Sequence, residues 1–330
     1  YDRLFPRDGD LLLKLNLSWT KYFPACSTQP WQLEGVLRTL AEDGYSREHL
    51  FPVENKTVVT DPRRGAINNK WIPVLERYGL PFIPLTDVEW IRYEFKSPLL
   101  KLNEIFPDGI EIPRMYVGKN ICQMPTMKTH GHTVTTGAIK NSFGGLLKEV
   151  RHYAHEHIHE VMVDLMLMQR ELHPAIFAVM DGTVMGDGAG PRTMIPKAGN
   201  LILAGADQVA IDAIAATIMG YDPLGIPYLR MCHERGLGVA DPREIEILGD
   251  DISGVNMGFR TEKSLVIWGD QLIRTGPLRP LKRLLLHSPL VVWAPFASNV
   301  YHDWLWYPTV GRARIHAFAG TDWGRLFARY

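Results

Sequence analysis

The feature that most constrains this chain is a repeated switch between short apolar runs and stretches of helical period. Strands are predicted at residues 10–17 (DLLLKLNL), 51–59, 81–85, 117–123, 175–180, 201–203 and 244–248. Between them lie helical stretches at 31–43, 69–78, 146–172, about 207–219 and 227–235. Gly44, Gly79 and Gly236 follow three of these stretches. A glycine there stops a helix, because it takes the left-handed conformation without a steric penalty. Strands separated by helices return by crossover rather than by hairpin, which lays neighbours parallel and places helices on the sheet faces. The expected fold class is therefore α/β, a mostly parallel, Rossmann-like sheet flanked by helices. One antiparallel excursion is expected, with 101–105 and 110–113 flanking the turn Pro107-Asp108-Gly109.

The alternation stops after Gly258. Five of the nine tryptophans lie beyond it: Trp268, Trp293, Trp304, Trp306 and Trp323. Residues 1–258 are read as the α/β domain and 259–330 as an aromatic-rich C-terminal extension. In that extension Arg279, Lys282 and Arg283 precede an apolar, Trp-rich stretch, the pattern of a segment at a membrane interface. His287, Pro289 and Pro295 interrupt it, so it falls short of the roughly 20 apolar residues of a spanning helix. Aromatic enrichment is equally a mark of protein interfaces. Two readings stand: packing across the sheet or a second copy, and docking of residues 274–323 on a partner protein or membrane surface.

Lys+Arg and Asp+Glu are both 36. No surplus of cations is available to neutralise phosphates, so nucleic acid is not expected as a partner. Cys26, Cys122 and Cys232 are too scattered for a zinc knuckle or an iron–sulfur site. A sparse, odd count suits a reducing compartment, and residues 1–10 carry charge without an apolar run, so no signal peptide is read. The expected location is cytoplasmic, peripheral to a membrane if the extension docks there.

The chemistry concentrates between Lys128 and Pro191. Residues 127–145 (MKTHGHTVTTGAIKNSFGG) read as a loop after a strand, where open α/β sheets bind ligands. Lys128 and Lys140 are point charges suited to phosphate or carboxylate. Asn141 and Thr129, Thr133, Thr135 and Thr136 add orienting hydrogen bonds, and the glycines admit close backbone approach. A solvated polar loop is the plain alternative. On the predicted helix 146–172, Lys148, His152, His155 and His159 share one stripe at about 100° per residue. An i, i+4 imidazole pair can hold a divalent metal. His152 is the stripe member nearest the Lys/Asn loop, and His132, His155, His157 and His159 are expected at the surface. Asp181 is placed at a strand end before a glycine-rich loop, a position for an acid/base or a metal ligand. Asp207 is read as a helix N-cap, and Asp212 as either structural or functional. The glycine loop is neither a Walker A nor a full GxGxxG motif.

The ordered series Pro125-Thr126-Met127-Lys128-Thr129-His130, Lys140-Asn141-Ser142-Phe143-Gly144 and His152 resembles the family catalogued as domain of unknown function 362. Lys14-Leu15-Asn16, Asp181-Gly182, Gly188-Ala189-Gly190-Pro191, residues 207–212 and Gly236-Leu237-Gly238 fit the same series, over roughly residues 10–249. The family has no general assigned reaction, but its polar motifs coincide with the centre read from residue chemistry and support it as one site. Its members would be Lys128, His130, Lys140 and Asp181 as catalytic groups, with Lys14, Asn16, Asn141, Gly188 and Gly190 binding the ligand. His130, His152 and Asp181 would hold a divalent metal. Many relatives carry ferredoxin-like cysteine motifs; this chain lacks them, so no cluster of its own is expected. The function expected is an enzyme of unassigned reaction that binds an anionic small molecule, or a metal or cofactor, in a Lys/His/Asp site at the strand ends. The alternative is a non-catalytic subunit that binds a cofactor and docks to a partner complex or membrane through its C-terminal tail.

Overall fold

The computed structural model describes residues 1–274, 276–281, 284–285, 288 and 293–330, without the side chains of 149–152. The elements in chain order are β1 (Leu11–Lys14), α1 (Pro30–Glu42), β2 (Leu50–Glu54), α2 (Pro62–Asn68), α3 (Trp71–Arg77), β3 (Ile83–Pro84) and β4 (Trp90–Tyr93). Next come α4 (Leu102–Ile105), β5 (Ile110–Pro113), β6 (Asn120–Gln123), β7 (Thr126–His130), β8 (Val134–Thr135), α5 (Ala138–Leu146) and α6 (Ile158–Leu172). β9 (Ile176–Ala189), β10 (Thr193–Gly205), α7 (Gln208–Met219), α8 (Pro227–Glu234) and α9 (Leu265–Arg274) follow.

The expected architecture is present. β1 is apolar on both sides because both sides are covered. Leu11, Leu13 and Leu15 face one core, which includes Leu33, Leu37 and Leu40 of α1 and Trp71, Val74 and Leu75 of α3. Leu12, with the opposite pleat, faces a second core containing Ile139 and Phe143 of α5 and Val161 and Leu165 of α6. The strand order is β3-β2-β1-β6-β9-β7-β8, and β10 pairs with β9. β1 pairs in parallel with β2 and β6, and β9 pairs in parallel with β6 and then β7. Helices therefore cover both faces of a mostly parallel sheet.

Several local expectations differ. Residues 102–105 form a helical turn, and β5 instead pairs antiparallel with β4. The cause is Asp164 of α6. Its carboxylate accepts from the N–H groups of Leu100 (2.5 Å), Lys101 (2.9 Å) and Leu102 (2.8 Å), which caps that turn from a distance. The predicted helix 146–172 is broken: Leu147 and Lys148 are extended, and Glu149–His157 is a 3₁₀ helix leading into α6. At three residues per turn the predicted stripe cannot persist. No strand forms at 244–248, where Ile247 and Leu248 are exposed to solvent. The short runs at 175–180 and 201–203 belong to the long antiparallel hairpin of β9 and β10.

The C-terminal segment Trp293–Asn299, Val300–Gly311, Arg312–Ala319 and Asp322–Arg329 is helical and packs back on the body. Trp306, Tyr307 and Ile315 lie against Trp19, Phe23, Cys26 and Met194. Trp19 Nε1 donates to Asp303 Oδ1 at 2.7 Å, and Phe327 stacks on Tyr22 at 3.7 Å. The cross-sheet reading of the extension thus describes its inner face.

Candidate functional site

The strand order reverses at β1. From β1 the chain moves through β2 to β3 on one side, and β6 later returns to the other edge. A crevice outside the carboxyl ends of strands at such a reversal is the place where open α/β sheets hold ligands. β1 and β6 run in register there, with Lys14 opposite Gln123.

Lys128, on β7, is only 1% exposed. Its ammonium donates to Asn16 Oδ1 at 2.6 Å and to Thr126 Oγ1, both neutral acceptors. Asp181 and Glu54 act on it through space, and among the described residues no carboxylate reaches it as an ion pair. Burial pushes its pKa from 10.5 down to about 8. Lys14 is different. Its ammonium is bonded to Glu54 Oε1 at 2.8 Å and to the Leu15 carbonyl at 2.6 Å, deep in the same end of the sheet. Two buried lysines thus lie near the reversal, and Lys14 has an acid in contact with it.

Asn141 of α5 ties the two strand ends together. Its Nδ2 donates to the Lys14 carbonyl (3.0 Å) and to Gln123 Oε1 (2.8 Å), while its Oδ1 accepts from Asn16 Nδ2 (3.1 Å). Gln123 Nε2 in turn donates to Gln169 Oε1 at 2.9 Å. This chain fixes the Asn16 amide with its oxygen toward Lys128. Asn16 is half-buried, so the network reaches solvent through it. Gly145 makes the packing possible: a Cβ there would stand 2.6 Å from Tyr116 Oη and 3.0 Å from Lys14 Cε.

Asp181 does not end a strand. It lies inside β9, because residues 182–189 pair with β10 along one edge and β7 meets the other, so the glycine-rich run becomes strand. Asp181 Oδ1 accepts from Thr183 N at 2.8 Å and Thr183 Oγ1 at 2.6 Å. Its Oδ2 is buried with no hydrogen-bond partner among the described residues, as is the Tyr22 hydroxyl. Burial raises the Asp181 pKa to about 6, against the Thr183 hydrogen bonds and the Lys128 charge, which lower it.

The stretch read as a loop is largely β7 and α5. His130 is buried; its Nδ1 accepts from His132 N at 3.2 Å, and burial followed by the Lys140 charge holds its pKa well below 6.5. It is a neutral imidazole. His132 and His155, expected at the surface, are half-buried: the His132 ring centre lies 5.8 Å from that of His130, and the His155 ring centre 5.2 Å from that of His132. His159 is also half-buried, stacked on Tyr228, while His157 is exposed over 40% of its side chain. Lys140 is half-buried with its ammonium 5.5 Å from the Phe143 ring centre. The His152 side chain lies outside the described residues. Among the described residues no group of three or more His, Cys, Asp and Glu side chains is placed to hold a metal.

Asp212 resolves to a structural role. Its carboxylate accepts from Ala138 N at 2.6 Å and Ile139 N at 3.2 Å, occupying the N-terminus of α5 from another helix. Gly137 is required beside it, since a Cβ there would overlap that carboxylate. Asp207 caps α7 as expected, accepting from Val209 N and Ala210 N. Gly188 has φ +92, and a Cβ on Gly190 would overlap the Thr129 carbonyl, so both serve the backbone path of the β9–β10 hairpin beside β7. Sequence reasoning missed Glu54, Gln123 and Thr126. The signal was present: β1, β2 and β6 each turn polar at their last residue, Lys14, Glu54 and Gln123. All three cysteines are buried free thiols, and burial pushes Cys26 up to about 11.

Among the described residues no helix is long and apolar enough to cross a membrane. No solved structure matches the chain. It is similar to the Thylakoid-associated protein sll1697 of Synechocystis sp. (strain ATCC 27184 / PCC 6803 / Kazusa), 23% identical over 258 residues that cover 74% of this chain and 76% of that protein. Residues 11–217 match the family described as Domain of unknown function (DUF362), a span that holds β1 to β10, most of α7 and every polar residue of the network at the strand reversal. The chain belongs to the DUF362 family.

Proposed function

We propose that this protein binds an anionic small molecule at the β1/β6 reversal and acts on it as an enzyme, with Lys128 as the charge that receives it. The observation that carries this reading is the buried Lys128 ammonium, held only by neutral oxygens of Asn16 and Thr126. A buried cation without an anion is costly, and an incoming carboxylate or phosphate supplies the missing charge. Asn16, oriented by Asn141, is the gate residue of the site. With its pKa near 8, Lys128 can exchange a proton with the ligand near neutral pH. Asp181, directly opposite Thr126 in the β7–β9 register, is the neighbouring acid that tunes it. Calorimetric titration with inorganic phosphate and with succinate tests the reading. Wild type is expected to bind at least one of them and Lys128→Met to lose it. Equal affinity in wild type and variant would remove the assignment.

A second reading concerns location. The extension, residues 274–323, docks on a membrane surface as a peripheral contact. The name of the cyanobacterial relative, thylakoid-associated, supports it, as does the aromatic outer side of the segment.

A further inference from the structure

We infer that Tyr22 and Asp181 form the second half of the Lys128 site and hold a hydroxyl group, so that the ligand is a small hydroxylated anion. The inference rests on the Lys128 reading above and gives that anion a further functional group. β7 and β9 place the two halves on one side of the sheet. Thr126 lies opposite Asp181 in the register, and residues paired across neighbouring strands project to the same side. The Lys128 ammonium folds back onto Thr126 Oγ1, which puts it on that side as well. The loop 16–28 brings Tyr22 there. It is closed at its ends, where Asn16 N donates to Thr28 Oγ1 at 2.8 Å and Thr28 N to the Asn16 carbonyl at 2.9 Å. Asn16 receives Lys128, and Tyr22 stands near the middle of the same loop. Phe327 stacks on the Tyr22 ring and Tyr307 Oη donates to the Tyr22 carbonyl at 3.0 Å, so the phenol is fixed from outside. After burial, the Asp181 charge does most to raise the Tyr22 pKa, which makes the two groups neighbours.

Both groups are held with one polar atom left over. Trp31 Nε1 donates to Thr183 Oγ1 at 2.9 Å, and Thr183 Oγ1 donates in turn to Asp181 Oδ1 at 2.6 Å. That chain fixes the carboxylate and leaves Oδ2 buried without a hydrogen-bond partner among the described residues. The Tyr22 hydroxyl is in the same condition. Buried polar atoms of this kind cost stability until a partner fills the place. The partner must donate to Oδ2 and meet the phenol, within the field of a lysine that has no anion in contact. An ammonium would set a second cation against Lys128, and a carbonyl or carboxylate would set its lone pairs against Asp181. A hydroxyl does neither: it donates to Oδ2 and accepts from Tyr22 Oη. With Lys128 taking the charged end, the ligand is a hydroxy carboxylate or a phosphate ester that carries a free hydroxyl.

The test is calorimetric titration of the full chain with two matched pairs: malate, each enantiomer, against succinate, and glycerol 3-phosphate against propyl phosphate. In at least one pair the hydroxylated member is expected to bind about tenfold or more tightly, the worth of one hydrogen bond to a charged group. Which pair shows the gain tells a carboxylate from a phosphate. Tyr22→Phe keeps the ring on Phe327, and is expected to remove most of the gain with unchanged affinity for the member that lacks the hydroxyl. Asp181→Asn is expected to remove most of the gain as well, and circular dichroism matching wild type shows that both variants fold. If succinate or propyl phosphate binds and the hydroxyl adds nothing in either pair, water fills the place between Tyr22 and Asp181. The inference then falls while the Lys128 reading stands. A gain that survives in both variants puts the hydroxyl elsewhere and overturns the inference too. If the wild type binds none of these anions, the Lys128 reading fails and the inference fails with it.

Discussion

The Lys128 ammonium lies 2.6 Å from Asn16 Oδ1, across 112 residues of sequence and across the point where the strand order reverses. The contact joins β7 to the end of β1 through a neutral acceptor. Every consequence for the site follows from that neutrality.

Replacing Lys128 by Met is expected to stabilise the unliganded protein and to abolish anion binding. The folded pKa of about 8 lies below the 10.5 of the free side chain, so the unfolded chain binds more protons between those values. Wild-type stability therefore rises as pH is raised through that window and is lost again as pH falls through 8. Lys128→Met lacks this dependence and is more stable at pH 7 by up to about 3 kcal/mol. Its anion affinity falls by about 2–5 kcal/mol. Denaturant unfolding at pH 7 and 9.5, beside phosphate titration, reads both effects.

Asp181 carries the opposite sign. Its folded pKa of about 6 lies above the usual 3.8, so the folded state holds the extra proton in that window. The stability this contributes is full below 3.8 and is lost as pH rises through about 6. Asp181→Asn should flatten the unfolding free energy over that range. In Lys128→Met the Asp181 carboxyl should titrate higher still, because one charge that lowers it is gone. Carboxyl carbon NMR would measure the displacement, and an unmoved titration would separate the two groups.

The α5 cap is testable by stability alone. Asp212→Ala leaves the Ala138 and Ile139 N–H groups buried without an acceptor, at a cost of about 1–3 kcal/mol. Gly137→Ala should cost a similar amount by pushing the same carboxylate away. The two losses should not add, since they remove one cap. Chemical denaturation of the single and double variants reads this directly.

One of several contacts that hold the extension on the body is the Trp19 indole N–H donated to Asp303. Asp303→Ala removes the acceptor of the buried Trp19 N–H and should cost about 1–3 kcal/mol. Loss of near-ultraviolet circular dichroism from the cluster of Trp19, Trp306 and Tyr307 should accompany it. An unchanged melting temperature would show that the contact carries no stability.

Much of the fold is legible along the chain because its signals are local. Leu11–Lys14, Pro30–Glu42, Gln208–Met219 and Pro227–Glu234 follow from apolar period, proline at a helix start, the Asp207 cap and a terminal glycine. Each of these acts within a few residues of itself. The polar residues of the proposed site were legible for the same reason, since Lys128, Asn141 and Asp181 fall in one polar stretch. What failed were the statements that depended on a distant partner. Residues 182–189 read as a flexible loop because glycine is permissive, yet the edges of β7 and β10 make them strand. Residues 102–105 read as strand until Asp164 capped them.

The sequence by itself therefore determined the α/β class, the order of most elements and the polar character of the centre, all of which rest on interactions a few residues long. Tertiary structure alone decided which lysine is neutralised. Glu54 reaches Lys14 from 40 residues away, while Lys128 meets only amide and hydroxyl oxygens. It also decided that Asp212 is a cap for a helix 74 residues before it. Burial and counterion are properties of the packed chain, because the low dielectric and the charged neighbour arrive only when remote segments meet.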